Sequence, residues 1–501
     1  MAHSASTPRP RAWSGDSLAL VAGALVSLSL APFELWLLGP LAAGLLAWLI
    51  ADTPPAATAR RGWLFGVGLF GAGTSWVYVS IHVYGHAAPW LAGLLTVLFC
   101  LGLGLLVALP AYIYARWLRP LPAGQWLGFA VFWVLTEWLR GWLLTGFPWL
   151  YLGYAHLDTP LAGWAPIAGV LGIGFVLALT GAVVAQWIRQ RRAPRLALAL
   201  TSLLWLAGPL LSWVEWTAPA PRAPLDIALV QANIPQELKW NPHYYRATLD
   251  AYDQLSRALW ADSDIVIWPE AAIPGFYQQA RDFLAQQARH AADHDATLIL
   301  GIPWRDGEGV YYNSAVALGA GNGLYHKRRL VPFGEYVPLE HWLRGLIAFF
   351  DLPMSNFQSG PALQAPLMAG DVSLSVALCY EIVYPDLVAA GSGADLLLTL
   401  SNDAWFGHSI GPHQHFQMAR MRALENGRWL VRATGSGVTG IVDHRGQVRA
   451  SLPQFQTMVL HHQAEIRTGR TPFGLAGSLP LIAVCGVMWG GMASRRWMSD
   501  V

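Results

Sequence analysis

Lysine is almost missing from this chain: of its 32 basic residues only Lys239 and Lys327 are lysine, and the other 30 are arginine. Charge of either sign is also scarce, at 12% of residues where soluble domains carry about a quarter, which argues against a simple soluble enzyme. A net charge of +2 offers no concentrated basic face and so no case for a nucleic-acid partner. Cysteine is reduced to Cys100, Cys379 and Cys485, too few for a disulfide framework. What the chain has in excess is apolar surface, with 54% hydrophobic residues and 26 Trp.

The few charges are unevenly spread. Residues 1–221 hold 17 of the 62 charged side chains, residues 222–468 hold 41 and residues 469–501 hold four. Crossing about 30 Å of hydrocarbon takes roughly 20 apolar residues in a helix. Such runs fall at 17–32, 35–51, 63–82, 89–115, 123–143, 162–188, 196–214 and 473–494. The expected architecture is a multi-pass α-helical membrane domain of about eight transmembrane helices with one α/β domain between the seventh and the eighth. Its parts are 1–221 (seven helices), 222–468 (the globular domain) and 469–501 (the last helix and tail). Short loops rich in arginine stay in the cytoplasm. Twelve arginines, Arg9 to Arg496, fall on one side of this pattern and Arg140 alone on the other. Both termini are therefore expected in the cytoplasm and the 222–468 domain outside, with an uncleaved first helix.

Within that domain, short β-type runs (226–231, 264–268, 297–301, 313–318, 372–378, 395–400, 437–442) alternate with helical stretches near 242–260 and 277–293, a pattern of α/β layers. Three polar residues stand at strand ends: Glu270 after DIVIWP, Lys327 after GLYH and Cys379 after VSLSVAL. They make chemical sense together. Thiolate is the reactive form of cysteine, a carboxylate can take its proton, and an ammonium can meet the oxyanion formed on attack at a carbonyl. Lys327 has survived beside Arg328 and Arg329, where a compact ammonium is not interchangeable with a guanidinium.

The segments WPEAAIP (268–274), HKRRLVPFGEYVP (326–338) and CYEIVYPD (379–386) resemble the three catalytic motifs of the nitrilase, or carbon–nitrogen hydrolase, superfamily. Together with eight apolar spans, the whole chain resembles the bacterial apolipoprotein N-acyltransferase family. The resemblance implies a nitrilase-like αββα sandwich on the periplasmic side of the inner membrane, with Glu270 as general base, Lys327 as oxyanion-stabilising cation and Cys379 as nucleophile. It matches Glu335 to the family's second glutamate, and Tyr380 and Glu381 to the residues that follow the nucleophile. It implies acyl transfer from a phospholipid, typically phosphatidylethanolamine, through a thioester to the N-terminal amine of a diacylated apolipoprotein, with no cofactor and no metal.

Lipid substrates favour a site facing the bilayer. Trp240, Phe333, Trp149 and residues 346–350 are candidate substrate-binding walls or a mobile arm, although Trp also gathers at membrane interfaces simply as an anchor. His408, His413 and His415 invite a metal, but no fourth ligand has convincing spacing. Glu137 and Arg140 read as an interfacial i,i+3 pair. Two rivals remain: a membrane-anchored amidase, with the same triad and water as acceptor, and a transporter with a ligand-binding outer domain, disfavoured by the few intramembrane ionisable residues.

Overall fold

The computed structural model describes residues 12–192, 194–338 and 356–499, with side chains from residue 14 to residue 494. The chain falls into two compact units. One holds residues up to Ser75, Gly93–Val214 and the residues from Ser478 on; the other holds Trp76–Ala92 and Glu215–Gly477.

The front of the chain forms helices α1 (Ala12–Leu28), α2 (Leu38–Ile50), α3 (Pro55–Gly73), α4 (Trp76–Tyr84), α5 (Pro89–Leu118), α6 (Leu127–Arg140), α7 (Ala165–Gln190) and α8 (Arg195–Leu211). A last helix covers Leu479–Ser499. In the first unit α1 packs against α3 with backbones in contact: a Cβ added at Gly23 would run into the Phe65 carbonyl, and one at Gly68 into that of Leu20. Small residues allow such close approach where helices cannot rely on water to drive them together. Among the described residues, two helices are long and apolar enough to cross a membrane, Pro89–Leu118 and Pro160–Gln190, or three if α3 and α4 count as one bent span. The other apolar helices are shorter.

One expectation needs correction. The run 63–82 is not one straight helix, because α3 stops at Gly73 and α4 departs at 55°. Thr74 closes α3 by returning its hydroxyl to the Phe70 carbonyl at 2.7 Å, which competes with continued helix. Glu137 and Arg140 form the expected i,i+3 pair. Both side chains are buried in the first unit, 3.9 Å apart, with Glu137 accepting from the Leu152 N–H and Arg140 donating to the Trp149 carbonyl.

The second unit is a sandwich of two six-stranded sheets. The first has the order β13-β2-β3-β4-β5-β6, where β2 is Leu225–Gln231, β3 Ile265–Trp268, β4 Thr297–Arg305, β5 Tyr311–Gly319, β6 Leu324–His326 and β13 Met458–Ala464. The second has the order β12-β11-β10-β9-β8-β7, where β7 is Leu367–Ala369, β8 Val372–Leu378, β9 Leu396–Ser401, β10 Leu430–Thr434, β11 Gly440–Val442 and β12 Val448–Ser451. Strands β2, β3 and β4 run parallel, as do β8, β9 and β10. A two-stranded ribbon pairs β1 (Thr217–Pro219) with β14 (Arg467–Gly469).

Alternation along the strands explains the layers. Ile227, Leu229, Ile265 and Ile267 face Leu374, Val376, Leu396, Leu398 and Leu400 in one core between the sheets. Ala228, Val230, Val266 and Trp268 point the other way into a second core, capped by Tyr252 of α9 (Tyr245–Ser256) and Leu284 of α10 (Arg281–Ala292). Helix α11 (Gly411–Asn426) packs by β10 on the opposite side, completing the αββα layering. The turn at Asp443-His444-Arg445-Gly446 joins β11 to β12, with the Asp443 N–H donating to the Gln447 carbonyl and Gly446 at φ +76°.

Segment Trp76–Ala92 belongs to this unit. Ser80 Oγ donates to the Trp405 carbonyl at 2.8 Å, and Trp76 meets Phe406 edge-on at 4.7 Å.

Candidate active site

The buried parallel strands deliver polar groups at their C-terminal ends, the side of open α/β sheets where ligands bind. Glu270 follows β3, Lys327 follows β6, Cys379 follows β8 and Asn402 follows β9. Glu270 is brought in by a tight turn seated on β4, where Gly301 receives the Ala272 N–H at 3.0 Å and donates to the Pro269 carbonyl at 3.2 Å.

Four side chains then close a ring. Lys327 Nζ donates to Glu270 Oε1 at 3.1 Å and to Glu335 Oε1 at 2.8 Å. Asn313 Nδ2 donates to the same two oxygens, at 2.7 Å each. The outer oxygens are met by backbone: Asn402 N–H donates to Glu270 Oε2 and Val331 N–H to Glu335 Oε2, both at 2.8 Å. Burial opposes the charge on Lys327, but Glu270 and Glu335 outweigh it and its pKa is raised. Burial likewise would raise Glu270, yet Lys327 and Asn313 hold it below the usual carboxylate range. The ring is therefore an ion pair at neutral pH.

Cys379 opens the turn after β8 at φ +47°, a left-handed conformation that costs a non-glycine residue energy and recurs at functional positions. It is half-buried. Burial first, then Glu270, push its thiol well above the ordinary value while Lys327 pulls it down. The resting group is thus a thiol, and it needs a base.

Glu381 lies at the bottom of the same turn, completely buried. It accepts from Tyr325 Oη at 3.0 Å, from the N–H groups of Arg328 and Arg329 at 2.7 and 3.1 Å, and from the Leu378 N–H at 2.8 Å. One carboxylate so ties the segment after Lys327 to the turn that carries Cys379. Tyr380 is buried edge-on against Tyr384 at 5.3 Å, and Tyr384 in turn lies under Arg329.

The candidate wall residues are scattered more widely. Trp240 is half-buried directly after Lys239, and Phe333 is half-buried at φ +64° in the loop leading to Glu335. Trp149 is fully buried in the first unit, stacked on Phe147 at 6.0 Å. Residues 346–350 lie outside the described residues.

The three histidines have separate partners. His408 stacks on Phe455 at 4.0 Å, His413 meets Gln454 at 3.1 Å and His415 is buried on α11. No group of three or more His, Cys, Asp or Glu among the described residues could hold a metal.

Reasoning from sequence overlooked several members of the site. Asn313 gives no signal in a strand of apolar alternation. Asp403, His415 and Arg432 form a buried network in which Arg432 donates to Asp403 Oδ2 at 2.6 Å, His415 Nδ1 donates to Asp403 Oδ1 at 3.0 Å, and His415 Nε2 lies 3.1 Å from the Cys379 carbonyl. Burial and then Arg432 lower the pKa of His415, against the pull of Asp403. Lys239 had a signal, its rarity.

Family models match twice: the apolipoprotein N-acyltransferase N-terminal domain over residues 22–183 and carbon–nitrogen hydrolase over residues 226–470. The apolipoprotein N-acyltransferase of Azotobacter vinelandii is 48% identical over 97% of this chain and 96% of its own. The chain belongs to the apolipoprotein N-acyltransferase family. The family enzyme of Methylococcus capsulatus is 41% identical over 96% of both chains. Among solved structures, a carbon–nitrogen hydrolase from Helicobacter pylori G27 aligns with 54% of this chain and 95% of its own at 18% identity, with a TM-score of 0.36. For an N-acyltransferase of this family, the ring around Lys327 and the turn at Cys379 are where the chemistry is to be sought.

Proposed function

We propose that this membrane enzyme moves an acyl chain from a phospholipid, phosphatidylethanolamine for preference, through a thioester on Cys379 to the α-amino group of the diacylglyceryl-cysteine that begins an apolipoprotein. The observation that carries the reading is the meeting of Glu270, Lys327, Glu335 and the strained Cys379 turn at one edge of the sandwich.

In the first half-reaction Cys379 Sγ attacks the ester carbonyl and Glu270 takes the thiol proton. With the thiol raised and the carboxylate lowered, this transfer is uphill at rest, so it is coupled to attack, when the negative charge passes to the acyl oxygen beside Lys327. Collapse expels the lysophospholipid alkoxide, which takes the proton from Glu270. In the second half-reaction the neutral acceptor amine attacks the thioester and gives a proton to Glu270. The expelled thiolate takes that proton back, leaving an amide. Glu335 balances Lys327 and orients it, Glu381 fixes the turn, and Tyr380 shapes the pocket.

Each CH₂ withdrawn from lipid into water costs about 0.8 kcal/mol, so the acyl chain stays in an apolar passage, for which Trp240 and Phe333 are the wall candidates. The matching arrangement has seven spans in residues 1–221, the catalytic domain 222–468 on the periplasmic side of the inner membrane, and an eighth span in 469–501, with both termini cytoplasmic.

The purified protein is incubated with labelled phosphatidylethanolamine, Cys379 is examined by intact mass, and a diacylated lipopeptide is then added. An adduct that persists until the lipopeptide arrives is expected. No adduct, or one that decays as fast without lipopeptide, overturns the reading, the second result in favour of hydrolysis.

A further inference from the structure

The mechanism above leaves without a role the buried charge of Lys239, next to Glu270. Lys239 ends the single helical turn Gln236–Lys239 after β2 and is 5% exposed. Among the described residues its one side-chain hydrogen bond is long, from Nζ to the Glu270 carbonyl at 3.4 Å. An ammonium has three donors, and burying them poorly matched is costly. The turn is held to the site by Gln236, whose Oε1 accepts from Asn402 Nδ2 at 3.2 Å, and Asn402 is the residue whose N–H supports Glu270. In a chain of 30 arginines, both positions that keep lysine converge on Glu270.

Charge counting gives this convergence a purpose. Glu270 and Glu335 bring two negative charges to Lys327's one, and Asp403 is already met by Arg432. With Lys239 the charges of Glu270 and Glu335 are matched by two ammonium groups. When Cys379 attacks, its proton neutralises Glu270 and the negative charge moves to the acyl oxygen. Glu335 and that oxygen then face two ammonium groups. The groups acting on Lys239 are Glu270 and Cys379, and those acting on Cys379 are Glu270, Lys327 and Asp403. Burial lowers Lys239 to about 8, with Glu270 and Cys379 holding it up, so it still carries charge at neutral pH.

We infer that Lys239 is a second catalytic cation, which shares with Lys327 the stabilisation of the Cys379 thiolate and the acyl oxyanion in both half-reactions. This rests on the acyl-transfer reading. A guanidinium is a wide planar fork and does not substitute for a compact ammonium at this range.

The test uses the full-length protein in phosphatidylethanolamine-containing micelles, comparing wild type with Lys239→Met, which keeps length and loses charge. Two quantities are read: the rate of acyl-adduct formation on Cys379, and the pH midpoint of Cys379 alkylation by iodoacetamide without lipid. Adduct formation slower by about 100-fold or more and a midpoint raised by about one pH unit are expected. An unchanged rate overturns the inference, and so does a slower rate with an unchanged midpoint, which marks a merely structural lysine. Should Lys239→Met not fold, two lysines still give two resonances in lysine-labelled protein. The titration of Lys239 should then shift in Cys379→Ala, because coupling is reciprocal, and no shift overturns the inference. Absence of any adduct in wild type would count against the acyl-transfer reading alone, while the midpoint and the titration would still decide the coupling.

Discussion

The amide of Asn313 holds two carboxylates at once, and this makes it the most informative single residue to remove. Asn313→Ala leaves Glu270 Oε1 and Glu335 Oε1 each without one charge-assisted bond, and such bonds contribute about 1.5–3 kcal/mol each. Acylation of Cys379 should slow by roughly 10- to 100-fold, read as a time course of intact mass. A change under about twofold would mean that Lys327 orders both carboxylates unaided. Glu381→Gln tests the carboxylate under the nucleophile turn. The glutamine amide keeps one oxygen and turns donors either toward the N–H groups of Arg328 and Arg329 or toward that of Leu378. A loss of about 1–3 kcal/mol, and therefore a lower Tm, is expected together with slower acylation. Roles for Glu270, Lys327 and Cys379 could be proposed from motif and chemistry because each ends a recognisable strand. Asn313 could not, since only the pairing of β5 between β4 and β6 brings it to them.

At the scale of elements, the turn carrying Glu270 depends on bare backbone at β4. A Cβ at Gly301 would lie 2.5 Å from Glu270 Cα and 2.9 Å from the Pro269 carbonyl, with no flexible side chain to yield. Gly301→Ala should displace Glu270, destabilise the second unit by about 1–3 kcal/mol and abolish the Cys379 adduct, whereas a normal adduct rate would show that β4 can shift. Seven strands were legible as alternating or continuous apolar runs. Helix α11 was not, because it buries Gln414, His415, Gln417, Arg422, Glu425 and Asn426 beside its apolar residues, which erases the periodicity that marks a surface helix. The same polar burial hid His415, which steadies the strained Cys379 carbonyl. Strand β13 escaped for the opposite reason. It is a largely exposed edge, MVLHHQA, joined to the sheet through backbone pairing with β2.

For the whole molecule, acid should act through buried carboxylates. Burial alone would raise Asp403, but Arg432 and His415 outweigh it and hold its pKa well below the ordinary value, as Lys327 does for Glu270. A depressed folded pKa stabilises fully above the unfolded values of about 3.9 and 4.3, and that contribution is lost as pH falls through the folded values. Unfolding should therefore become easier from about pH 4 downward. Asp403→Asn should flatten part of this dependence while costing about 3–5 kcal/mol at neutral pH, since it strands the buried Arg432 charge. The orientation is open to a direct check. In Cys379→Ala cells, a membrane-impermeant maleimide should label Asp371→Cys from the periplasm and leave Arg192→Cys unlabelled; the reverse would invert the topology. The sequence by itself determined the division into apolar helices and one charged domain, the strand ends that bear Glu270, Lys327 and Cys379, and the family, because hydrophobicity, alternation and motifs are local properties of a chain. Only the tertiary structure decided that Lys327 stands between two carboxylates, that Asn313 bridges them, that the chain's second lysine joins the first at Glu270, and that the thiol rests protonated. These are matters of distance and burial between residues up to 166 positions apart, and no local pattern records them.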